Sequence, residues 1–257
     1  MKKALIVGGA SGIGLSIANQ LAQRDDYSEV NIIDLKQPSI SIDNPKVKSF
    51  ILDLTSDDYS ILNKFNSINV LMITAGFGKL SLFKNNSEVD ISAYFNVNTV
   101  GPIRVIKHFY DRLLDKDDFY CGVMVSIAGF MSSPFFSLYG ASIAALKIFI
   151  ESVNVELKKA GSSNQILNVS PGSIKGTSFN NGVTDLTVTE SLAKEIIQNL
   201  EDKNDLFIPQ YEEIYRTVLV RYQSDFRREG EHSYDYKLQS GRIEEVTDNQ
   251  CVKINGG

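Results

Sequence analysis

The feature that most constrains this chain is a repeated alternation: short runs rich in β-branched and apolar residues, each followed by a longer stretch with helical period. A strand that is apolar at nearly every position has to be covered on both faces, and strands separated by helices pair in parallel, so the pattern folds as βαβ units. About six alternations can be read. Strands are expected at Lys3–Val7, Glu29–Asp34, Val47–Asp53, Val70–Thr74, Tyr120–Ser126 and Gln165–Ser170. Helices are expected at Gly12–Arg24, Tyr59–Phe65, Val89–Leu114, Leu138–Lys159 and Thr189–Leu200, the last opened by Thr189 and Glu190. The expected fold class is α/β, a doubly wound parallel sheet in three layers. Nothing reads as a linker or an internal repeat beyond this alternation, so residues 1–257 are expected to form one domain, and at this length a single core buries roughly three quarters of the unfolded surface.

One turn in the series carries chemistry. Gly8-Gly9-Ala10-Ser11-Gly12-Ile13-Gly14 directly follows the first strand and opens the first helix, the context in which a glycine pattern becomes a phosphate cradle of the Rossmann type. Gly8 permits the tight turn, Gly12 lets the backbone approach a pyrophosphate, and Gly14 allows close packing of helix on strand, while the helix N-terminus offers N–H donors and a positive dipole. Ser11 and Ile13 belong to the same cradle. Twenty residues beyond Gly14, at the end of the second strand, Asp34 can accept hydrogen bonds from the adenosine ribose hydroxyls. A 2′-phosphate there would meet its negative charge. Neither Ala10, Ser11 nor Leu35 offers a compensating cation, and only Lys36 lies near, so NAD(H) is expected over NADP(H).

Composition removes other function classes. A net charge of -5, spread along the chain, is no footprint for nucleic acid. Two cysteines, Cys121 and Cys251, and two histidines, His108 and His232, are too few for a disulfide framework or a Cys- and His-rich metal site, and no metal is expected. The apolar runs are short, so no membrane span is expected. Met1-Lys2-Lys3 runs straight into the first strand without the apolar stretch of a signal peptide, and a cytoplasmic location is expected. After Pro209 the pattern changes. Tyr211–Arg228 puts Ile214, Val218, Leu219 and Tyr222 on one helical face, and a polar stretch follows. Residues 210–250 read either as a surface helix with an irregular tail or as a substrate lid or subunit contact.

With these residues in hand, the chain resembles the short-chain dehydrogenase/reductases over at least Ala4–Pro209. Gly8, Gly12 and Gly14 match that family's Gly-x-x-x-Gly-x-Gly turn. Asp53 and Leu54 match its adenine-facing pair, and Thr74-Ala75-Gly76 stands where it usually has Asn-Ala-Gly. Asn98 matches a helix asparagine that holds a proton-relaying water. Ser126, followed thirteen residues on by Tyr139 in Tyr139-Gly140-Ala141-Ser142, matches the catalytic serine and tyrosine. Pro171-Gly172 with Ile174 and Thr177 resembles the segment that touches the nicotinamide, and Val252–Gly257 is similar to the family's last strand.

The reaction implied by this resemblance is hydride transfer between a nicotinamide and a small alcohol or carbonyl compound, with Tyr139 as proton donor or acceptor and Ser126 orienting the oxygen. A tyrosine working near neutral pH must fall several units from its free value of about 10, which a nearby cation achieves. The family supplies a lysine one helical turn on; here that position is Ile143. Lys147 lies about 12 Å along the helix from Tyr139 and about 80° around it, and reads as a surface or subunit-contact residue. Lys79 and Lys175 are the other candidate cations. Two function classes therefore stand: an NAD-dependent oxidoreductase of this type, and a non-catalytic NAD(H)-binding sensor or scaffold motivated by Ile143 and Thr74. The two long helices, with Phe149, Ile150 and Val153 on the second, resemble those through which the family forms dimers and tetramers. A homodimer or homotetramer is expected. The pocket is expected from the loops at 77–86, 130–136 and 179–187, with Phe130, Phe135 and Phe136 as either a pocket wall or a buried cluster.

Overall fold

The computed structural model describes residues 1–240 except 178, 180 and 181. Among the described residues seven strands form one parallel sheet: β1 (Lys2–Val7), β2 (Tyr27–Asp34), β3 (Val47–Ile51), β4 (Val70–Ile73), β5 (Tyr120–Met124), β6 (Ile166–Val169) and β7 (Leu206–Phe207). Their order is β3-β2-β1-β4-β5-β6-β7. The reversal of winding between β1 and β4, with Val7 level with Ile73, opens a crevice at the carboxyl ends of those strands, where ligands of such sheets bind.

Side-chain alternation divides the core into two halves. Leu5, Val7, Leu71, Ile73 and Val123 point to one face, with Val105 and Ile106 of α3 (Gly101–His108) and Leu146, Ile150 and Leu157 of α5 (Ser137–Lys159) packed in the same cluster. Ala4, Ile6, Ile32, Met72 and Val169 point to the other, with Leu15 and Leu21 of α1 (Gly12–Gln23) and Ile196 and Leu200 of α6 (Leu186–Glu201). The expected three-layer α/β sandwich is therefore present. By length and composition α5 would suit a bilayer, but a third of its most apolar stretch is buried inside the protein, and Ile150 and Leu157 are fully so.

Several expected boundaries move, each for a local reason. The helix expected over Val89–Leu114 is interrupted: α2 (Glu88–Phe95) ends in a π-turn at Asn96–Val100, followed by α3 and by α4 (Tyr110–Leu114). Pro102 at the start of α3 lacks an N–H, and Phe109 leaves helical angles at φ -98°, ψ 12°. The helix expected at Tyr59–Phe65 is a 3-10 turn over Ser60–Phe65. The helix expected from Thr189 starts at Leu186, because Asp185 caps it by accepting from the N–H groups of Thr187 and Val188; Thr189 is buried inside it and donates to the Asp185 carbonyl. The two-residue β7 was not foreseen, being too short for a period-two signal. Beyond Pro209 a π-turn (Tyr211–Tyr215) leads into α7 (Arg216–Ser224) and α8 (Phe226–Gln239), so the polar stretch after Arg228 is helical to Gln239 instead of irregular. Asp225 caps α8, and Arg221 forms a bidentate pair with Glu229 that clips the two helices together. The expected final strand and Cys251 lie outside the described residues.

Candidate active site

The glycine turn is set by contacts that tolerate no side chain. Gly8 has φ +88°, and a Cβ there would lie 2.2 Å from the Ala75 nitrogen; one on Gly14 would lie 2.3 Å from Thr74 Oγ1. Thr74, in the position of the family's usual asparagine, donates through its hydroxyl to the carbonyl of Gly8 at 2.9 Å. It thereby ties the end of β4 to the turn after β1, a job a threonine of this reach can do. Gly12 has φ +52° and packs on Thr177, and its N–H donates to Thr184 Oγ1 at 3.1 Å. Thr184 was not foreseen, because a lone threonine in a loop carries no sequence signal.

At the other end of the cradle both oxygens of Asp34 accept main-chain N–H groups, from Ala10 at 2.9 Å and Leu35 at 2.7 Å. Asp53 Oδ1 accepts from the N–H and hydroxyl of Thr55, which hold its carboxyl below the usual range. Gly8, Ser11, Gly12, Ile13, Gly14, Asp34, Leu35, Asp53, Leu54, Ala75 and Gly76 line one cleft of about 1770 Å³. Ser126, Tyr139, Pro171, Gly172, Ile174 and Thr177 line the same cleft. A dinucleotide fits this donor set: a positive-φ glycine turn at a helix N-terminus for phosphate and a fixed carboxylate for a ribose diol, provided that phosphate takes the Gly12 N–H over from Thr184.

Asn98 stands apart from this set. It is 1% exposed behind the cleft. Its Oδ1 accepts from the Phe77 N–H, and its Nδ2 donates to the Phe77 carbonyl and to Ser142 Oγ. Ser142 Oγ in turn donates to the Tyr139 carbonyl at 2.8 Å. The side chain is thus a clamp between the loop after β4 and α5, and a water relay at this residue would have to use its main-chain oxygen.

The Tyr139 phenol, on the first turn of α5, faces the Ser126 hydroxyl just past the end of β5. Burial pushes the phenol up to about 12, against the opposing pull of the Ser126 hydroxyl, and no cation among the described residues acts on it. Ile143, one turn on, is 4% exposed and packs against Gly129 in the core. Lys147 pairs with Glu151 at 2.8 Å and lies over the Phe130 ring, away from the cleft. Lys79 and Lys175 both line the cleft.

Aromatic rings wall the phenol. Phe136 lies 5.4 Å and Phe179 5.2 Å from the Tyr139 ring, and Gly78 makes room for Phe179. Of the three phenylalanines expected at 130–136, only Phe136 reaches the cleft. Phe135, in the left-handed region at φ 66°, is buried against Tyr234, and Phe130 sits under Lys147. The π-turn and the α7–α8 pair complete the cleft with Ile214, Tyr215, Val218, Tyr236 and Lys237. Lys237 donates to Ser133 Oγ and the Pro134 carbonyl, both at 2.8 Å. The thiol of Cys121 is fully buried and pushed up to about 12 by burial, an inert core group.

Fold and site together define a nucleotide-binding cleft with a paired serine and tyrosine at its floor. Residues 2–187, more than half of the chain, match the short chain dehydrogenase family model, and the chain belongs to the short-chain dehydrogenase/reductases. It is 30% identical over 184 residues to an oxidoreductase of Saccharomyces cerevisiae, TDA5, covering 68% of this chain and 56% of that one. To the dehydrogenase RED2 of Cochliobolus heterostrophus it is 29% identical over 169 residues, covering 63% of each. The chain thus matches less than two thirds of the length of these relatives. Among solved structures, the fold is similar to a short-chain dehydrogenase/reductase of Burkholderia phymatum in complex with NAD (TM-score 0.74, 18% identity, 86% of this chain and 93% of that one). It is also similar to a short-chain dehydrogenase of Burkholderia cenocepacia in complex with NADP (TM-score 0.69, 18% identity, 86% and 98%).

Proposed function

We propose that this protein is an NAD-dependent oxidoreductase interconverting a small alcohol and its carbonyl compound. The observation that carries the reading is the Ser126–Tyr139 pair opening into the same cleft as the glycine cradle. The nicotinamide supplies or accepts the hydride at the substrate carbon when bound. The chain's own residues do the rest: Ser126 orients the substrate oxygen, and the Tyr139 phenol gives it a proton as the carbonyl is reduced. Burial keeps that phenol protonated near neutral pH, the form that donates in reduction, and oxidation needs the phenolate as base.

Preference for NAD(H) rests on the tethered Asp34 carboxylate, which faces any 2′-phosphate with like charge. We place all 257 residues in one domain, the described part of 210–250 serving as a substrate lid, in a protein located in the cytoplasm. A homodimer is supported by apolar side chains exposed on α5, Ile148 at 57% and Val155 at 61%. Ile150 and Val153, expected to contribute to such a face, are instead buried in the chain's own core. Light scattering that finds only monomer would reject this arrangement.

A screen of ketones and aldehydes, followed by NADH absorbance alongside calorimetric titration of NADH and NADPH, tests the proposal. Turnover with tighter NADH binding is the expected result, whereas equal affinity for NADPH would remove the NAD preference. The second reading, a non-catalytic NAD(H)-binding sensor or scaffold, is favoured by one observation, the uncompensated burial of the Tyr139 phenol beside Ile143. Saturable NADH binding with no turnover across the screen would select it.

A further inference from the structure

The lid brings a second phenol to the reacting end of the cleft. Gln210, in the left-handed region at φ 58°, turns the chain back after β7, and the π-turn that follows carries Tyr215 over Gly172. A Cβ on Gly172 would stand 1.6 Å from the Tyr215 hydroxyl, so only glycine admits the ring in this position. The adjoining Pro171 carbonyl accepts from Ser126 Oγ at 3.4 Å and from the Ile127 N–H at 3.0 Å. Tyr215 therefore reaches, from the opposite wall, the strand end that holds the Ser126–Tyr139 pair.

This hydroxyl is chemically unspent. Among the described residues it has no hydrogen-bond partner, although the side chain is half-buried, and burial raises its pKa, keeping it protonated and able to donate. Two charged groups that the lid brings to the cleft are engaged elsewhere: Arg221 is held by Glu229, and Lys237 by Ser133 and Pro134, while Gln210, His232 and Ser233 also line it. Phe136 and Phe179 make the walls beside Tyr139 apolar. A ligand between them meets oxygen-seeking groups at Ser126, at Tyr139 and at Tyr215.

We infer that Tyr215 is a specificity-determining residue whose hydroxyl binds a second oxygen on the substrate, so that the substrate class is a ketone or secondary alcohol bearing a hydroxyl or carbonyl oxygen close to the reacting carbon. The inference deepens the oxidoreductase reading and rests on it for the site. A buried donor discriminates strongly against an analogue that lacks its partner, whereas apolar walls discriminate weakly.

The test compares acetophenone with 2-hydroxyacetophenone, which share a ring and a carbonyl and differ by one hydroxyl. Each is titrated into the NADH complex by quenching of NADH fluorescence, and each is assayed for kcat and KM. The wild-type protein is expected to bind the hydroxyketone about 5-fold to 10-fold more tightly, as one neutral hydrogen bond allows. Tyr215→Phe is expected to collapse that ratio to near one, through KM more than kcat. A wild-type protein without the preference, a Tyr215→Phe protein that keeps it, or an equal loss for both ketones together with weaker NADH binding would overturn the assignment. Preferential binding without turnover of either ketone would overturn only the oxidoreductase reading.

Discussion

The cofactor cradle and the lid are built in opposite ways. In the cradle, the groups that face the ligand are mostly main-chain atoms, fixed by β1, β4 and the start of α1, and Gly8 and Gly14 exist because neighbouring atoms fill the space of a Cβ. In the lid, the groups that face the cleft are side chains of Ile214, Tyr215, Val218 and Tyr236 on helices that carry almost no buried residues of their own. A backbone site can be altered only by breaking the fold, whereas a side-chain site can be altered one contact at a time. Damage to the first should be near total, and changes to the second graded.

The harshest way to break this contrast is Gly8→Ala. Strain at φ +88° and the clash with Ala75 together should destabilise the protein by about 3 kcal/mol or more and abolish dinucleotide binding, read by thermal melts and calorimetry. A variant that still binds NADH within tenfold of wild type would mean that the cradle is softer than its contacts imply.

A pH profile probes the boundary between the two regions. Because the Tyr139 phenol is pushed up to about 12, the rate of alcohol oxidation should climb about tenfold per pH unit from pH 7 to about 10, without a plateau. The same shift sets a stability limit. A phenol whose pKa is raised by folding contributes fully below its ordinary value of 10, and the contribution is lost as pH rises through about 12, so folding is to be followed by circular dichroism across the same range. A plateau near pH 7 would mean that a cation does reach Tyr139.

Ile143→Lys should raise turnover by about 10²-fold by restoring a charge beside the phenol. It should also lower stability by about 1–3 kcal/mol, because the position is buried against Gly129. Unchanged turnover in a folded variant would show that the ammonium is not what limits this site. The smallest effect is expected from Thr184→Val, which frees the Gly12 N–H: NADH should bind about 2-fold to 10-fold more tightly in calorimetry, and weaker binding would make Thr184 a ligand contact instead of a competitor.

How much could be read in the sequence follows the same division. The strand and helix alternation, the glycine turn and Asp34 leave signals because each is imposed by local backbone geometry at fixed spacing. The π-turn at Asn96–Val100 leaves none, since the residues on either side keep helical period and only Gly101 and Pro102 mark the break. Thr184, Phe179 and Tyr215 reach the cleft from loops and lid through tertiary contacts, and nothing near them in sequence names their partners. Asn98 shows the limit of a motif: its position was legible from the family pattern, while its three hydrogen bonds, which make it a clamp, belong to a loop and a helix distant in the chain.

The double tether on Asp34 bears on how the adenosine end is recognised. A free aspartate rotates among several rotamers and must settle into one when a diol arrives, but here the Ala10 and Leu35 amides have already chosen the orientation. The carboxylate acts as a fixed gauge, not a movable arm. Ligands that match its spacing lose no side-chain freedom on docking, and ligands that would need it to swing aside must first pull it off two amides.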